Sequence, residues 1–183
     1  LAMIAGFIFL RLRGILGNKS GIEDDITQSF PHDFPNVKPA KKTNFDVFDD
    51  DAKSEFLSGA KIAYETIITD FSKGNLKNIK SLLEKKVLMQ FEDAISEREK
   101  EGNVSETTFI GINSAEIKNH ERNGNFLEVT VDFVSEIISC VKDKNSKIIA
   151  GNPGKVKKVY DTWKFSKNVK SNDPNWSLIE TSV

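Results

Sequence analysis

The chain has 183 residues, of which 38% are hydrophobic and 29% are charged, and its formal net charge is −1. This length suits one domain of ordinary size with some additional chain. The near-neutral charge argues against a general nucleic-acid binder, which needs a basic surface. A single cysteine excludes an intramolecular disulfide, and with only two histidines a zinc site is disfavoured. We therefore expect one folded domain with no cofactor and no metal.

The first ten residues, Leu1–Leu10, carry no charged or hydrogen-bonding side chain. A bilayer span needs about 20 apolar residues, so we interpret residues 1–13 as the end of a truncated membrane anchor. Basic residues directly after an apolar run favour the cytoplasmic side for the rest of the chain. A short apolar helix docked on the soluble domain is the alternative. The anchor residues are Phe7, Ile8, Phe9, Leu10, Arg11 and Arg13.

Residues 14–51 lack hydrophobic periodicity and hold three of the five prolines. Between Gly21 and Asp51, eight acidic residues stand against three lysines. Such a charge resists collapse and is repelled by anionic lipid, which is typical of an acidic linker. Four phenylalanines in it leave open a second role, docking to a protein partner. These are Phe30, Phe34, Phe45 and Phe48.

Hydrophobic residues at three- and four-residue spacings from Phe56 to Phe71 predict an amphipathic helix. The preceding Asp49–Asp51 can cap its N-terminus and complement its dipole. Gly74 is expected to end this helix. A short second helix and a third one then follow, ending before Gly102.

From Glu106 onward the hydrophobic residues alternate, which predicts antiparallel strands with one polar face. Asn152–Gly154 is interpreted as a turn between two of them. The strand Phe126–Val141 would span roughly 50 Å if straight, so we expect it to bend or bulge near Ser135. Helices followed by a curved antiparallel sheet predict an α+β domain, whose concave face tends to leave a cone-shaped cavity.

The residues in these elements resemble a known family. They resemble the C-terminal domain of the forty-four-kilodalton subunit of the mitochondrial inner-membrane import translocase and its alphaproteobacterial relatives. The resemblance covers about residues 52–183. No single piece is specific, but the order and spacing of the pieces are. They are residues 56–64, residues 71–75, Leu82, Leu83, Phe91, Ile95, Arg98, residues 161–165 and residues 173–178.

The resemblance implies a cystatin-like, nuclear-transport-factor-like cone with an apolar pocket. It also implies a non-enzymatic scaffold or tether that serves protein translocation at the bacterial inner membrane, with its domain on the cytoplasmic side, or at the matrix side of the mitochondrial inner membrane. The implied partners are cardiolipin-like anionic phospholipid and a translocase or chaperone subunit. The long charged N-terminal region through which mitochondrial members contact chaperones has no counterpart in this sequence, so the resemblance supports membrane association more strongly than chaperone tethering.

The same resemblance assigns membrane contact to the opening helix of the domain. Its membrane-facing residues would be Phe56, Leu57, Ala60 and Tyr64. Cone folds often form homodimers through the open sheet face, and we include a homodimer among the expectations. No nucleic acid is expected.

Asp161 is the candidate functional acid. Strand alternation places it on the apolar face beside Trp163. Desolvation of a carboxyl in a pocket raises its pKa, which is one route to a general base. The alternative function is therefore a small-molecule- or lipid-binding cone domain, an enzyme if Asp161 acts as general base. We favour a structural role, with a backbone amide or the indole of Trp176 as partner.

The expected pocket lies on the same face of the sheet. Its lining would consist of Phe109, Phe133, Asp161, Trp163, Phe165 and Trp176. Aromatic residues on an inner sheet face also form ordinary core, which we favour. Nine lysines between Lys142 and Lys170 could meet anionic headgroups, although a solvated lysine face is the more common arrangement.

Overall fold

The computed structural model describes residues 48–182, so the expected anchor and the linker as far as residue 47 lie outside the described residues. Within the described range, no helix combines the length and apolar character that a membrane crossing requires. The elements are helix α1 (Asp50–Ser72), a 3-10 turn (Lys80–Leu82), helix α2 (Lys85–Lys100) and strands β1 (Val104–Asn123), β2 (Phe126–Lys142), β3 (Ile148–Asn168) and β4 (Ser177–Ser182).

Local side-chain caps determine where the helices begin. The Asp49 carboxylate accepts a hydrogen bond from the Ala52 amide at 2.9 Å, which confirms the expected cap of α1. In α2, the Glu84 carboxylate caps the Lys86 amide at 2.7 Å. After α1, Gly74 has a φ of +72°, a conformation that ends a helix and favours glycine. The short second helix expected after Gly74 is present only as a three-residue 3-10 helix, Lys80–Leu82.

The four strands form one antiparallel sheet in the order β1-β2-β3-β4, which confirms the predicted antiparallel pairing. Buried side chains alternate along β2 and β3, so one sheet face carries the core. The two helices pack on that face, while the outer face is polar. The α+β class is therefore confirmed, with two helices on an open four-stranded sheet.

The sheet is irregular where the bend is expected. The pairing of β1 with β2 shifts register on both sides of the pairs Gly111–Glu136 and Ile112–Ser135. The pairing of β2 with β3 jumps from Ile137–Lys157 to Ser139–Asn152, so four residues of β3 bulge opposite a single residue of β2. The turn expected at Asn152–Gly154 is therefore wrong. These residues belong to a bulge inside β3. A bulge tolerates Pro153 because residues in a bulge need not donate a hydrogen bond to the neighbouring strand, and proline has no amide hydrogen to donate.

One glycine permits the close approach of β2 and β3 beside this bulge. Gly151 has a φ of +76°, and a Cβ atom there would lie 2.2 Å from the Ser139 carbonyl oxygen. A side chain at this position therefore meets backbone that cannot move away cheaply. Gly59, exposed on α1, has open space around its missing Cβ.

We expect Gly151→Ala to lower the free energy of unfolding of the full chain by more than about 2 kcal/mol, because it combines left-handed strain with a backbone clash. Gly59→Ala is the matched control and should raise stability by roughly 0.5–1 kcal/mol, because alanine favours a helix interior. Urea unfolding followed by circular dichroism measures both. Equal stabilities for the two variants would contradict the assigned strand approach.

Candidate functional site

A buried tyrosine forms the polar centre of the domain. The Tyr64 hydroxyl of α1 donates a hydrogen bond to Asp161 Oδ2 of β3 at 2.5 Å. It also lies 2.9 Å from Ser135 Oγ of β2. A tyrosine has one hydroxyl proton, so Ser135 is the donor in the second bond. Three side chains from three elements thus meet beneath the helix, with exposed fractions of 0%, 4% and 0%.

The local sequence explains this meeting. Tyr64 continues the four-residue spacing of Phe56 and Ala60, so it lies on the helix face that packs on the sheet. Asp161 pairs in register with Phe133, and Ser135 lies two residues further along β2. Since side chains two residues apart on a strand share a face, both polar groups point toward α1.

Aromatic rings enclose the polar centre. The Tyr64 ring stacks on Phe133 with centroids 4.3 Å apart and lies 4.6 Å from the Trp163 ring. About two helical turns before Tyr64, the Phe56 ring lies 4.5 Å from the Trp176 ring and 5.8 Å from the Phe165 ring. Side chains of α1 therefore occupy the space beside the inner face of β3.

The structure brings the six expected pocket-lining residues together on this side of the sheet. Phe133, Asp161, Trp163 and Phe165 are buried, and the other two, Phe109 and Trp176, are half-buried and pack against the same core. The structure gives Asp161 the Tyr64 hydroxyl as a partner, which the expectation of a backbone amide or the Trp176 indole did not include. The carboxylate thus ties the helix to the sheet.

The expectation for the opening helix needs correction. Phe56, Ala60 and Tyr64 are 5%, 4% and 0% exposed, so these side chains cannot contact a membrane in this fold. Leu57 is half-buried and also packs against the core. The apolar stripe is the surface by which α1 packs on the sheet, because an amphipathic helix buries its apolar face wherever the same chain offers an apolar partner. Sequence reasoning missed Tyr64 as the partner of Asp161, although it is a polar group on an otherwise apolar stripe.

Several of the nine lysines have specific surroundings. Lys164 Nζ lies 2.7 Å from Glu128 and 2.9 Å from Glu121, and hydrogen bonds to these two carboxylates raise the pKa of Lys164. Lys142 is paired with Glu106 at 2.7 Å. Lys167 is 4% exposed, and burial lowers its pKa although nearby acids oppose this shift. These lysines are therefore not part of an open basic surface.

The fold and the site define an α+β domain in which two helices cover one face of an antiparallel meander. A hydrogen-bonded polar centre joins α1 to β2 and β3. The family model of the Tim44-like domain matches residues 47–183. The chain therefore belongs to the Tim44-like domain family, which confirms the resemblance. Membership indicates a translocation-associated scaffold role and a membrane-associated location, in a family that is generally non-enzymatic.

Two further comparisons complete this result. The crystal structure of the intermembrane space region of the chloroplast protein ARC6 is similar at 14% sequence identity and a TM-score of 0.48, covering 69% of this chain and 95% of that chain. Comparison with curated proteins finds no match.

We expect Tyr64→Phe to destabilise the full chain by about 1–3 kcal/mol, because it leaves a buried carboxylate and a buried hydroxyl without their shared partner. Tyr160→Phe is the matched control, since Tyr160 is adjacent to Asp161 but 56% exposed, and it should change stability by less than about 0.5 kcal/mol. Urea unfolding at neutral pH compares them. Similar losses in both variants would contradict the structural role of the Tyr64 hydroxyl.

The two lysines with opposite pKa shifts predict opposite pH dependences of stability. Lys167 binds its proton less tightly in the folded state, so the charged lysine lowers the free energy of unfolding. This loss of stability becomes smaller as pH rises from the lowered pKa of folded Lys167 toward the unfolded value of about 10.4. The stabilisation from Lys164 is fully present below about pH 10.4 and is lost as pH rises through its raised folded pKa.

Accordingly, Lys167→Met should be more stable than wild type at pH 7, and the difference should shrink toward pH 10. Lys164→Met should be less stable by under about 1 kcal/mol at both values. Lys170→Met, at an exposed position, is the control and should follow wild type. Urea unfolding at pH 7 and pH 10 distinguishes these outcomes. A less stable Lys167→Met variant at pH 7 would overturn the assigned effect of burial.

Proposed function

We propose that this protein is a membrane-anchored, non-enzymatic scaffold in protein translocation, which binds protein partners and anionic lipid. Its anchor is residues 1–13, and its domain lies on the cytoplasmic side of a bacterial inner membrane or the matrix side of a mitochondrial one. The observation that carries this proposal is the match of the Tim44-like domain to residues 47–183. A translocase or chaperone subunit and a second copy of the chain are the protein partners that the proposal includes.

The position of Asp161 supports a scaffold over the enzyme alternative. A general base must come within hydrogen-bond reach of its substrate. Asp161 is 4% exposed and accepts a hydrogen bond from Tyr64, which is itself fully buried. Opening this site to a substrate would separate α1 from β3. The proposal also includes an apolar pocket inside a cone-shaped sheet. Opening such a pocket would likewise require the Tyr64 side chain to move away from Asp161.

The turn between β2 and β3 supports the lipid-binding part of the proposal. Lys144 and Lys147 in this turn are exposed, in contrast to the paired Lys164 and the buried Lys167. A lysine near an anionic membrane surface contributes about 1 kcal/mol of attraction. We therefore assign headgroup contact to this turn rather than to the buried stripe of α1.

The lipid-binding part is tested with residues 14–183, which lack the expected anchor, and vesicles containing cardiolipin. We expect co-flotation at low salt that is lost at high salt, because screening weakens contacts between exposed charges. Lys144→Glu with Lys147→Glu should reduce binding, whereas the control pair Lys77→Glu with Lys80→Glu, also exposed, should not. Binding that is equal at low and high salt would contradict the electrostatic contact.

The scaffold part is tested by native mass spectrometry of the full chain extracted gently from its own membranes. A translocase or chaperone subunit in the spectrum, with or without retained phospholipid, is the expected result. A small bound molecule without any protein partner would instead favour the ligand-binding alternative.

A further inference from the structure

Strand β4 covers only a small part of β3. Its pairs with β3 run from Thr162–Ser182 to Ser166–Ser177, although β3 itself extends from Ile148 to Asn168. Among the described residues, no strand lies beside residues 148–161 on the side of β3 that faces away from β2. The backbone groups on that side therefore lack a neighbouring ladder in the described part of the chain.

A regular stretch of this edge is long enough to hold a strand. From Lys157 to Asp161, each residue of β3 pairs with consecutive residues of β2, so the backbone there is extended and regular. The bulge beginning at Asn152 limits this stretch on one side, and the last pair of β4, at Thr162, limits it on the other. We call residues 157–161 the open β3 edge. Its length is typical of a β-strand, about 5 residues.

The side chains around the open β3 edge are basic and apolar. Residues 148–161 contain Lys155, Lys157 and Lys158, and their one acidic residue, Asp161, is buried and accepts a hydrogen bond from Tyr64. Tyr160 is 56% exposed, and Val156 in the adjoining bulge is 47% exposed, so both side chains are accessible to a partner. An extended segment that pairs with this backbone would gain main-chain hydrogen bonds and contacts with these side chains.

We propose that the open β3 edge binds an extended acidic segment of a partner protein, which adds to the sheet as a strand in line with β4. Lys158 and Tyr160 project from the same outer face of β3, so the segment presents its acidic residues on that face and its apolar residues on the inner one. The proposal goes beyond the scaffold role by naming the surface and the chemistry of one partner, and it rests on that role only for the existence of partners.

Charge disfavours a second copy of the chain as the occupant. A parallel pairing of two open β3 edges would bring Lys157 and Lys158 beside the same residues of the other copy, and like charges across neighbouring strands are destabilising. An antiparallel pairing centred on Val159 would place Lys158 opposite Tyr160, and Lys157 opposite the buried Asp161, whose carboxylate already bonds Tyr64. Lysines and bulges at sheet edges commonly prevent such self-pairing. An anionic membrane would satisfy the lysines but would leave the backbone of the edge without a peptide partner, so an acidic peptide fits more of the observations.

The test uses the full chain in detergent micelles and a fluorescent peptide of about nine residues in which glutamate and valine alternate. We expect the peptide to bind and to slow amide hydrogen exchange in residues 157–161. The triple variant Lys155→Glu, Lys157→Glu, Lys158→Glu should weaken binding by about tenfold or more. The matched triple variant is Lys80→Glu, Lys85→Glu, Lys86→Glu, at exposed positions outside the sheet. It should bind the peptide as the wild type does.

A second peptide, in which proline replaces each valine, carries the same charge but cannot form a strand ladder. It should not bind. Equal binding of the two peptides, or equal binding by the two triple variants, would overturn strand addition. Loss of anionic-vesicle binding by the first triple variant, without any peptide binding by wild type, would assign these lysines to lipid instead. Hydrogen exchange on the wild type decides the matter even if a variant fails to fold, and no outcome of this test depends on the translocation role.

Discussion

The hydrogen bond between Tyr64 and Asp161 is the interaction on which the arrangement of this domain depends. A carboxylate on the inner face of β3 is unfavourable unless a donor from the opposing layer satisfies it. Tyr64 supplies that donor from α1, and Ser135 of β2 donates to the tyrosine in turn. Because the three groups lie on three elements, they specify one position of the helix on the sheet. The surrounding rings exclude water, which makes a loss of any partner more costly.

The long strands impose the second constraint. β1, β2 and β3 each exceed the usual length of a strand, so the sheet must bend to keep its inner face against two helices. Register shifts opposite Ser135 and Glu136 and the bulge in β3 produce the bend. The same bulge separates the far end of β3 from the open β3 edge. The bulge that bends the sheet around the core thus also sets one limit of the open β3 edge.

Charge divides the domain surface into two kinds of region. Lys164 and Lys142 form ion pairs with neighbouring glutamates, whereas Lys155 and Lys158 are exposed along the edge of β3. Counting lysines along the chain cannot separate these two groups, because the compensating acids come from other strands. The proposed contacts use exposed lysines outside these ion pairs, namely Lys144 and Lys147 for lipid and the lysines beside the open β3 edge for a partner segment.

The sequence by itself determined the features that depend on neighbouring residues. The cap at Asp49, the amphipathic stripe of α1, the alternation in β2 and β3 and the burial of Asp161 all follow from spacing, and the ordered set of motifs identified the Tim44-like family. Only the tertiary structure decided what the stripe packs against. In it, the residues that we assigned to a membrane lie in the core, Asp161 accepts a hydrogen bond from Tyr64, and the open β3 edge has no described neighbouring strand. Those outcomes depend on contacts between residues far apart in sequence, and local patterns carry no information about which distant surface lies opposite.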